Sequence, residues 1–332
     1  MKERLSRRRL FRAKMRRLEE ACNGERCALV RRDSVEWAAH FPGLAFYADF
    51  EAEEYVLVVP KMDLSAVREW PVPEEVEVVE RDRAGDLRPA RVSDSDRAPK
   101  HVPCYRLKVS DRVQNVKLSK TKEEVEVIQE LVRITEDVMR SLIPAEGRSE
   151  SEVAGELART SVEIGAKPAF DPIVGYDEGA GVPHHHPDPR RREWDHVMLV
   201  DFGLKCVYCT DVTRTVCARD GDAVPVLETV CEALEEALDE LKAGVNPKEI
   251  EERVRKEMED EFQDFEFPHS LGHHVGVAVH EGRLTGELPE GAVITVEPAL
   301  YSERFGVRVE EMAVVRRDGC EVLTNLPREW VV

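Results

Sequence analysis

The stretch from Val197 to Thr215 constrains the fold more than any other, because it puts acids where strands rarely carry them. Val, Leu, Phe, Tyr and Thr dominate on both sides of Gly203 and Lys205, which is the composition of a hairpin whose strands are at least half buried. Asp201 and Asp211 lie within those strands, although Asp is depleted from such segments. A hairpin folded about Cys206 makes the two acids cross-strand neighbours, with Cβ atoms roughly 4.5–5.5 Å apart, where bare carboxylates repel. A shared cation reverses the sign of that interaction. The pair is therefore either two hydrogen-bonded acids at strand ends or part of a metal site, and this stretch alone leaves both open.

At 332 residues the chain is long enough for two domains, each with its own core, and the boundary is expected between residues 112 and 113, giving domains 1–112 and 113–332. No apolar run reaches the length of a membrane span, and no apolar segment follows the basic N-terminus as a secretory signal requires. A cytoplasmic protein with no membrane partner is expected. The formal net charge of -19 argues against nucleic acid as a partner, and a charged content of 35% suggests surfaces laced with ion pairs. The eight cysteines are then expected as thiols, and Cys206-x-x-Cys209, which has no second half, as strand packing rather than a zinc or redox site.

Within the basic segment Lys2 to Arg17, Leu10, Phe11, Met15 and Leu18 fall near helical spacing, which predicts an amphipathic helix docked by its apolar stripe. Apolar runs at 27–30, 43–47 and 55–60 read as strands of an α/β domain. The charged stretch 72–100 reads as an edge strand at Val76–Val79 and a solvated loop. Thr121 to Glu124 has the form of a capping box, opening a long helix with Val125, Ile128, Leu131, Val132, Val138 and Leu142 on one face and its end before Pro144. Ser149 to Glu152 opens a second helix in the same way. A third stripe, Leu227 to Leu241, is expected to stop with Gly244 as the left-handed residue just past the helix, and a fourth helix follows Pro247. The second domain reads as α+β with a mainly antiparallel sheet.

Seven of the ten histidines lie in two short segments, His184, His185 and His186 in one and His269, His273, His274 and His280 in the other. A single histidine is more often structural than a ligand, but clusters spaced by glycine beside acidic strands shift the balance toward chemistry. Glu297 and Glu310 again place acids in β-branched runs. Four strand carboxylates with one neutral imidazole balance two divalent cations, and oxygen-rich ligation suits manganese, cobalt or iron, with zinc also admissible.

The stretches 170–174, Pro183-His184, Asp201-Phe202-Gly203, 211–215, 269–281, Glu297-Pro298 and 306–310 together resemble the motifs of the Xaa-Pro peptidases of the pita-bread metallopeptidase family, the group containing prolidase and aminopeptidase P. They span the second domain nearly end to end. The first domain is more loosely similar to the creatinase-type α/β domain that precedes the catalytic domain in that family. The resemblance implies a pita-bread catalytic domain with a curved, mainly antiparallel sheet, proline-containing peptides as substrates and a homodimer. It also implies two divalent metal ions, manganese or cobalt first and zinc or iron as alternatives. Carried over by position, Asp201, Asp211 and Glu310 would hold one ion and Asp211, His273, Glu297 and Glu310 the other, with Asp211 and Glu310 bridging. The implied reaction is hydrolysis by a metal-bridging hydroxide, with Glu297 shuttling the proton and His280 stabilising the tetrahedral intermediate. His184 matches a residue that hydrogen-bonds substrate, His269 one near the proline pocket, and Arg308 one that braces the neighbouring carboxylates.

For His185, His186 and His274 the expected roles are at the surface or in support of other residues. Departures from the family pattern bear on substrate range, since every ligand position carries the expected residue type. His274 and Ala299 stand where glycine is usual, Gly282-Arg283 follows the His280-Glu281 pair in place of the usual proline, and the Asp201-to-Asp211 hairpin is one residue shorter than usual for prolidases. Two other readings compete. An enzyme resembling methionine aminopeptidase would share the five ligands, but Arg214 and the long preceding domain speak against it; a binding module of the same fold is disfavoured by the intact ligand set.

Overall fold

The computed structural model describes residues 2–41, 43–69, 72–81, 87, 90–94, 104–145 and 147–332. The chain divides into two units, Met1–Glu124 and Val125–Val332. The first contains α1 (Lys2–Cys22), β1 (Cys27–Leu29), α2 (Arg32–Ala39), β2 (Ala45–Asp49), β3 (Glu54–Val59), α3 (Leu64–Glu69), β4 (Val76–Glu80), β5 (Ala90–Ser93), β6 (Cys104–Val109) and α4 (Asp111–Gln114). Its strands form one mixed sheet in the order β4–β3–β2–β1–β5–β6. Helix α1 buries Leu10, Phe11, Met15 and Leu18, as their spacing predicts, and leaves Arg8, Arg9 and Arg12 at the surface. The charged stretch 72–100 is only partly as expected. Strand β4 does lie at the sheet edge, but β5 is an interior strand between β1 and β6, burying Ala90, Val92 and Ser93. Four residues with one outward Arg91 make too short an alternation to stand out among so many charges. The rest of the expected loop, 82–86, 88–89 and 95–100, lies outside the described residues.

The second unit takes up α5 (Lys122–Leu142) after its first turn and continues through α6 (Glu150–Glu163), β7 (Lys167–Pro168), β8 (Ile173–Tyr176), β9 (Val197–Phe202), β10 (Leu204–Lys205) and β11 (Val212–Cys217). Helices α7 (Val224–Glu240) and α8 (Pro247–Glu261) follow, then β12 (His273–His274), β13 (Gly282–Arg283), β14 (Val293–Val296), β15 (Ala299–Tyr301), β16 (Gly306–Arg308), β17 (Glu311–Val315), β18 (Cys320–Val322) and β19 (Trp330–Val331). The two larger sheets run β19–β11–β9–β8 and β13–β12–β14–β17–β18. Among the described residues, every strand pair in this unit is antiparallel except β11 with β19.

Both capping boxes form: Thr121 Oγ1 accepts from Glu124 N at 3.2 Å while Glu124 Oε2 accepts from Thr121 N at 2.8 Å, and Ser149 and Glu152 exchange the equivalent pair. The end of α7 differs from expectation. The chain leaves the helix through an extended Leu241, whose side chain is fully buried, so no left-handed residue closes the last turn. Gly244, with φ of 83°, turns the chain farther on, where its N–H donates to Leu288 O at 2.9 Å. Cys22, Cys27, Cys206, Cys209, Cys217, Cys231 and Cys320 are free thiols, as expected.

Period-two alternation along β9 places the site. Met198, Val200 and Phe202 pack with Leu131, Met139, Val153 and Leu157 of α5 and α6, while Val197 and Leu199 face the core built on α7 and α8. Asp201 continues the second face at the strand's end. The hairpin itself folds about Val207 rather than Cys206: Lys205 bridges Cys209, and Asp201 pairs with Thr213, not with Asp211. Moving the turn centre by one residue moves every partner by two, so the faces are preserved, and Asp211 becomes the diagonal rather than the direct neighbour of Asp201. Only glycine fits at 203, where a Cβ would stand 1.9 Å from Thr210 O. The ladder passes this point with no residue inserted.

Candidate metal centre and active site

The carboxylates come from three places that the sheets bring together. Asp201 is the last residue but one of β9, Asp211 precedes β11 two residues from Thr213, and Glu310 precedes β17 with its N–H on Thr213 O at 3.1 Å. Thr213 Oγ1 donates to Glu310 Oε2 at 2.8 Å, so one threonine between the acids fixes the third. Glu297 follows β14, its N–H on Leu271 O at 2.8 Å and its Oε1 accepting from Thr295 Oγ1 at 3.2 Å. His273 in β12 is anchored by N–H to Thr295 Oγ1 at 3.0 Å and by Nδ1 to His274 O at 3.3 Å. That leaves Nε2 facing Asp211 Oδ2 at 3.3 Å and Glu297 Oε1 at 3.7 Å. Fixing one ring nitrogen on a carbonyl orients the other as a ligand donor.

Arg308, buried in β16, spans the site. Its Nη2 donates to Asp201 Oδ2 at 2.6 Å, Nε to Thr213 Oγ1 at 3.1 Å, and Nη1 to Tyr301 OH at 2.5 Å and Pro183 O at 3.4 Å. Tyr301 OH also meets His269 Nε2 at 3.1 Å. Burial alone would lower the Arg308 pKa, but Tyr301, Asp201, Glu297 and Glu310 outweigh it and raise it, so the guanidinium is a fixed positive charge. Burial pushes the Tyr301 phenol up to about 12 and lowers His269 to about 4. His280 is also lowered, first by burial and then by His273, whose ring centroid lies 4.2 Å away. Burial thus disfavours the charged forms of His269 and His280 beside the fixed charge of Arg308.

Whether these residues suit divalent cations can be tested on the acids themselves. Burial raises the pKa of Asp211, helped by the charges of Asp201 and Glu297, and raises Glu310, helped by Asp211 and Glu297. Glu297 is raised by burial against the opposing pull of His273 and Arg308. Such crowding disfavours four bare carboxylates. Asp201 Oδ1 is buried with no hydrogen-bond donor among the described residues, and Asp211, His273 and Glu310 each offer a ligand atom within 4.8 Å of the others. An acceptor-rich, donor-poor cluster of this kind fits hard or borderline divalent ions.

A cavity of about 670 Å³ opens onto the cluster, lined by His184, His269, His280 and Arg283 together with Phe170, Pro172 and Ile173. All nine residues singled out from the sequence border this cavity: Asp201, Asp211, His273, Glu297, Glu310, His184, His269, His280 and Arg308. His185 is held by Glu150, its Nε2 lying 2.7 Å from Oε2. Sequence reasoning missed Thr213, Thr295 and Tyr301, which orient the acids and Arg308. The first two were within reach, because each lies two residues from an acid and so on the same strand face. It also missed Glu311, which pairs with the buried Arg214 at 3.1 Å.

A sequence model of metallopeptidase family M24 matches residues 126–317, and the chain belongs to that family. An Xaa-Pro dipeptidase of Pyrococcus furiosus is 32% identical over 234 residues, covering 67% of this chain and 67% of the relative. The solved X-Pro aminopeptidase of Thermotoga maritima superposes with a TM-score of 0.79 at 28% identity, covering 93% of this chain and 96% of the other. The prolidase of Pyrococcus horikoshii gives 0.77 at 25% identity, over 96% and 99%. Among the described residues, no helix is long and apolar enough to cross a membrane.

Proposed function

We propose that the protein is a two-metal exopeptidase that hydrolyses the bond between an N-terminal residue and proline, as an Xaa-Pro dipeptidase or an Xaa-Pro aminopeptidase. In this reading a creatinase-like domain, 1–112, precedes the catalytic domain, 113–332, and the enzyme works as a cytoplasmic homodimer. The observation that carries the reading is the convergence of Asp201, Asp211, His273, Glu297 and Glu310 on one cavity that also presents His184, His269 and His280. The resemblance of the chain to peptidases named for Xaa-Pro substrates supports the choice of bond.

Asp201, Asp211 and Glu310 would hold one ion and Asp211, His273, Glu297 and Glu310 the other, manganese or cobalt before zinc or iron. Two such ions would supply a nucleophile from water near neutral pH and would polarise the scissile carbonyl. The remaining tasks fall to the chain. Glu297 holds the transferred proton on Oε2, because Oε1 already accepts from Thr295. His280, kept neutral by burial, donates to the oxygen on which charge develops, and His184 donates to bound substrate. Phe170, Pro172 and Ile173 give the proline ring an apolar wall. Arg308 fixes Asp201.

The test is release of the N-terminal amino acid from Xaa-Pro and Xaa-Pro-Yaa peptides with added manganese, compared with Met-Ala-Yaa. Preferential cleavage of Met-Ala-Yaa would support the methionine-aminopeptidase reading instead. His280→Ala is expected to keep its metal content and lose roughly 10²–10³-fold in kcat, the scale for removing one oxyanion donor; a variant that loses metal in proportion to activity would make His280 structural. Arg283, exposed on the cavity wall, is assigned to the carboxylate of a dipeptide's proline. Arg283→Ala should then raise KM more for Xaa-Pro than for Xaa-Pro-Yaa, and an equal change for both would return it to an ordinary loop arginine.

A further inference from the structure

His184 sits on a loop that strand geometry alone does not hold, and the residues on either side of it are tied down by different parts of the chain. Pro183 O accepts from Arg308 Nη1 at 3.4 Å. On the other side, His185 Nε2 meets Glu150 Oε2 at 2.7 Å, and the same oxygen accepts from Asp188 N at 2.7 Å. Glu150 Oε1 accepts from Tyr176 N at 2.7 Å, joining the loop to the end of β8. The Glu150 side chain is fully buried, and its neighbour Ser151 adds a hydroxyl bond to Pro187 O at 2.6 Å. The first turn of α6 therefore clamps the loop through Glu150 Oε2 and ties that clamp to β8 through Oε1. Gly179 makes room for the clamp, since a Cβ there would lie 2.9 Å from both Glu150 Oε1 and His185 Nε2.

A carboxylate this buried is costly unless each oxygen is satisfied, and here it spends its acceptors on the segment that carries His184. The helix would need no such carboxylate for its own sake, because Ser149 and Glu152 already cap it. We infer that Glu150 and His185 are positioning residues for substrate binding, acting through His184 by fixing the loop that presents it to the cavity. The inference rests on the reading of His184 as a substrate contact and adds the device that orients it.

The test uses the manganese-loaded enzyme with His184→Ala, His185→Ala, His185→Gln, Glu150→Gln and the double variant His184→Ala/His185→Ala. His185→Ala should raise KM for an Xaa-Pro dipeptide roughly tenfold with kcat within about twofold and metal content unchanged, the pattern of lost uniform binding. His185→Gln, whose amide nitrogen replaces Nε2 as a donor to Glu150, should recover KM to within about threefold. Glu150→Gln, which loses the acceptor for Asp188 N, should behave like His185→Ala. The double variant should be no worse than His184→Ala, because residues acting through one contact are not additive. Hydrogen exchange at the Asp188 amide should quicken in His185→Ala, whatever the substrate. If His184→Ala raises KM but His185→Ala does not, or their effects multiply, or His185→Gln is as poor as His185→Ala, the inference is overturned while His184 keeps its assignment. If His184→Ala leaves KM unchanged, the substrate-contact reading fails and takes the binding role of the clamp with it, even when exchange at Asp188 has quickened.

Discussion

Asp211→Asn is expected to melt above the wild type in chelator and below it in excess manganese. Burial and the charges of Asp201 and Glu297 raise the Asp211 pKa, so its ionised form is the disfavoured one in the metal-free fold. Asparagine removes that charge at nearly constant volume and should relieve the repulsion. With metal present the sign turns. Ions that bind the folded chain and hardly the unfolded one add stability by mass action, roughly 2.7 kcal/mol per site at one hundred times the dissociation constant. Under the proposed ligand set, in which Asp211 serves both ions, an asparagine there weakens both sites and forfeits much of that gain. The control is Glu235→Gln, at a side chain two-thirds exposed, which should show no crossing. Thermal melts of the three proteins in chelator and in manganese decide the matter. Equal destabilisation of Asp211→Asn under both conditions would make Asp211 a structural hydrogen-bonding residue rather than a bridge between cations.

Arg214→Met should cost about 3–5 kcal/mol, because removing one partner of a buried ion pair strands the other. Arg214 is fully buried, with Nη2 at 3.1 Å from both oxygens of Glu311, while Nη1 donates to Glu310 O at 2.6 Å and Nε to Pro327 O at 2.9 Å. Glu311 would retain Arg328 Nε at 2.8 Å and the Thr324 hydroxyl, which places the loss toward the lower end of that range. At about 2–4 °C per kcal/mol for a domain of this size, the melting temperature should fall by roughly 6–15 °C. Arg214→Lys should recover little, since a point charge cannot serve the carboxylate and the carbonyls together. The double variant Arg214→Met/Glu311→Leu should be more stable than Arg214→Met alone. Manganese affinity should drop in Arg214→Met as well, because the guanidinium holds the backbone that carries Glu310. A melting temperature within about 2 °C of wild type would contradict the assignment.

The site was legible in the sequence largely because acids in β-branched runs violate strand composition, and each violation at Asp201, Asp211, Glu297 and Glu310 marks a residue bordering the cavity. Strand period carries the face of a residue, so it puts Asp201 and Asp211 on one side of the hairpin, as found. It does not carry the centre of the turn, so their pairing came out two residues wrong. Helix stripes and capping boxes are local and were readable, whereas the end of α7 is decided by where the buried Leu241 must go. The bonds from Arg308 to Tyr301 and Asp201, and from Glu150 to His185, join residues distant in the chain or on separate elements. No periodicity records such contacts. Strand β5 escaped for a different reason, since its inward residues are too few to outweigh the charges around them.

Two divalent ions, held by the five proposed ligands, are expected to be needed for cleavage before proline. This requirement is tested most directly by stripping the protein with chelator, titrating manganese back, and following amino-acid release from an Xaa-Pro dipeptide against bound metal. The account predicts no turnover in the stripped protein, a rise that levels off at about two ions per chain, and no recovery in Asp211→Asn, Glu310→Gln or His273→Ala. Undiminished turnover in the stripped protein, or full activity from any of those three variants in metal-free buffer, would contradict it.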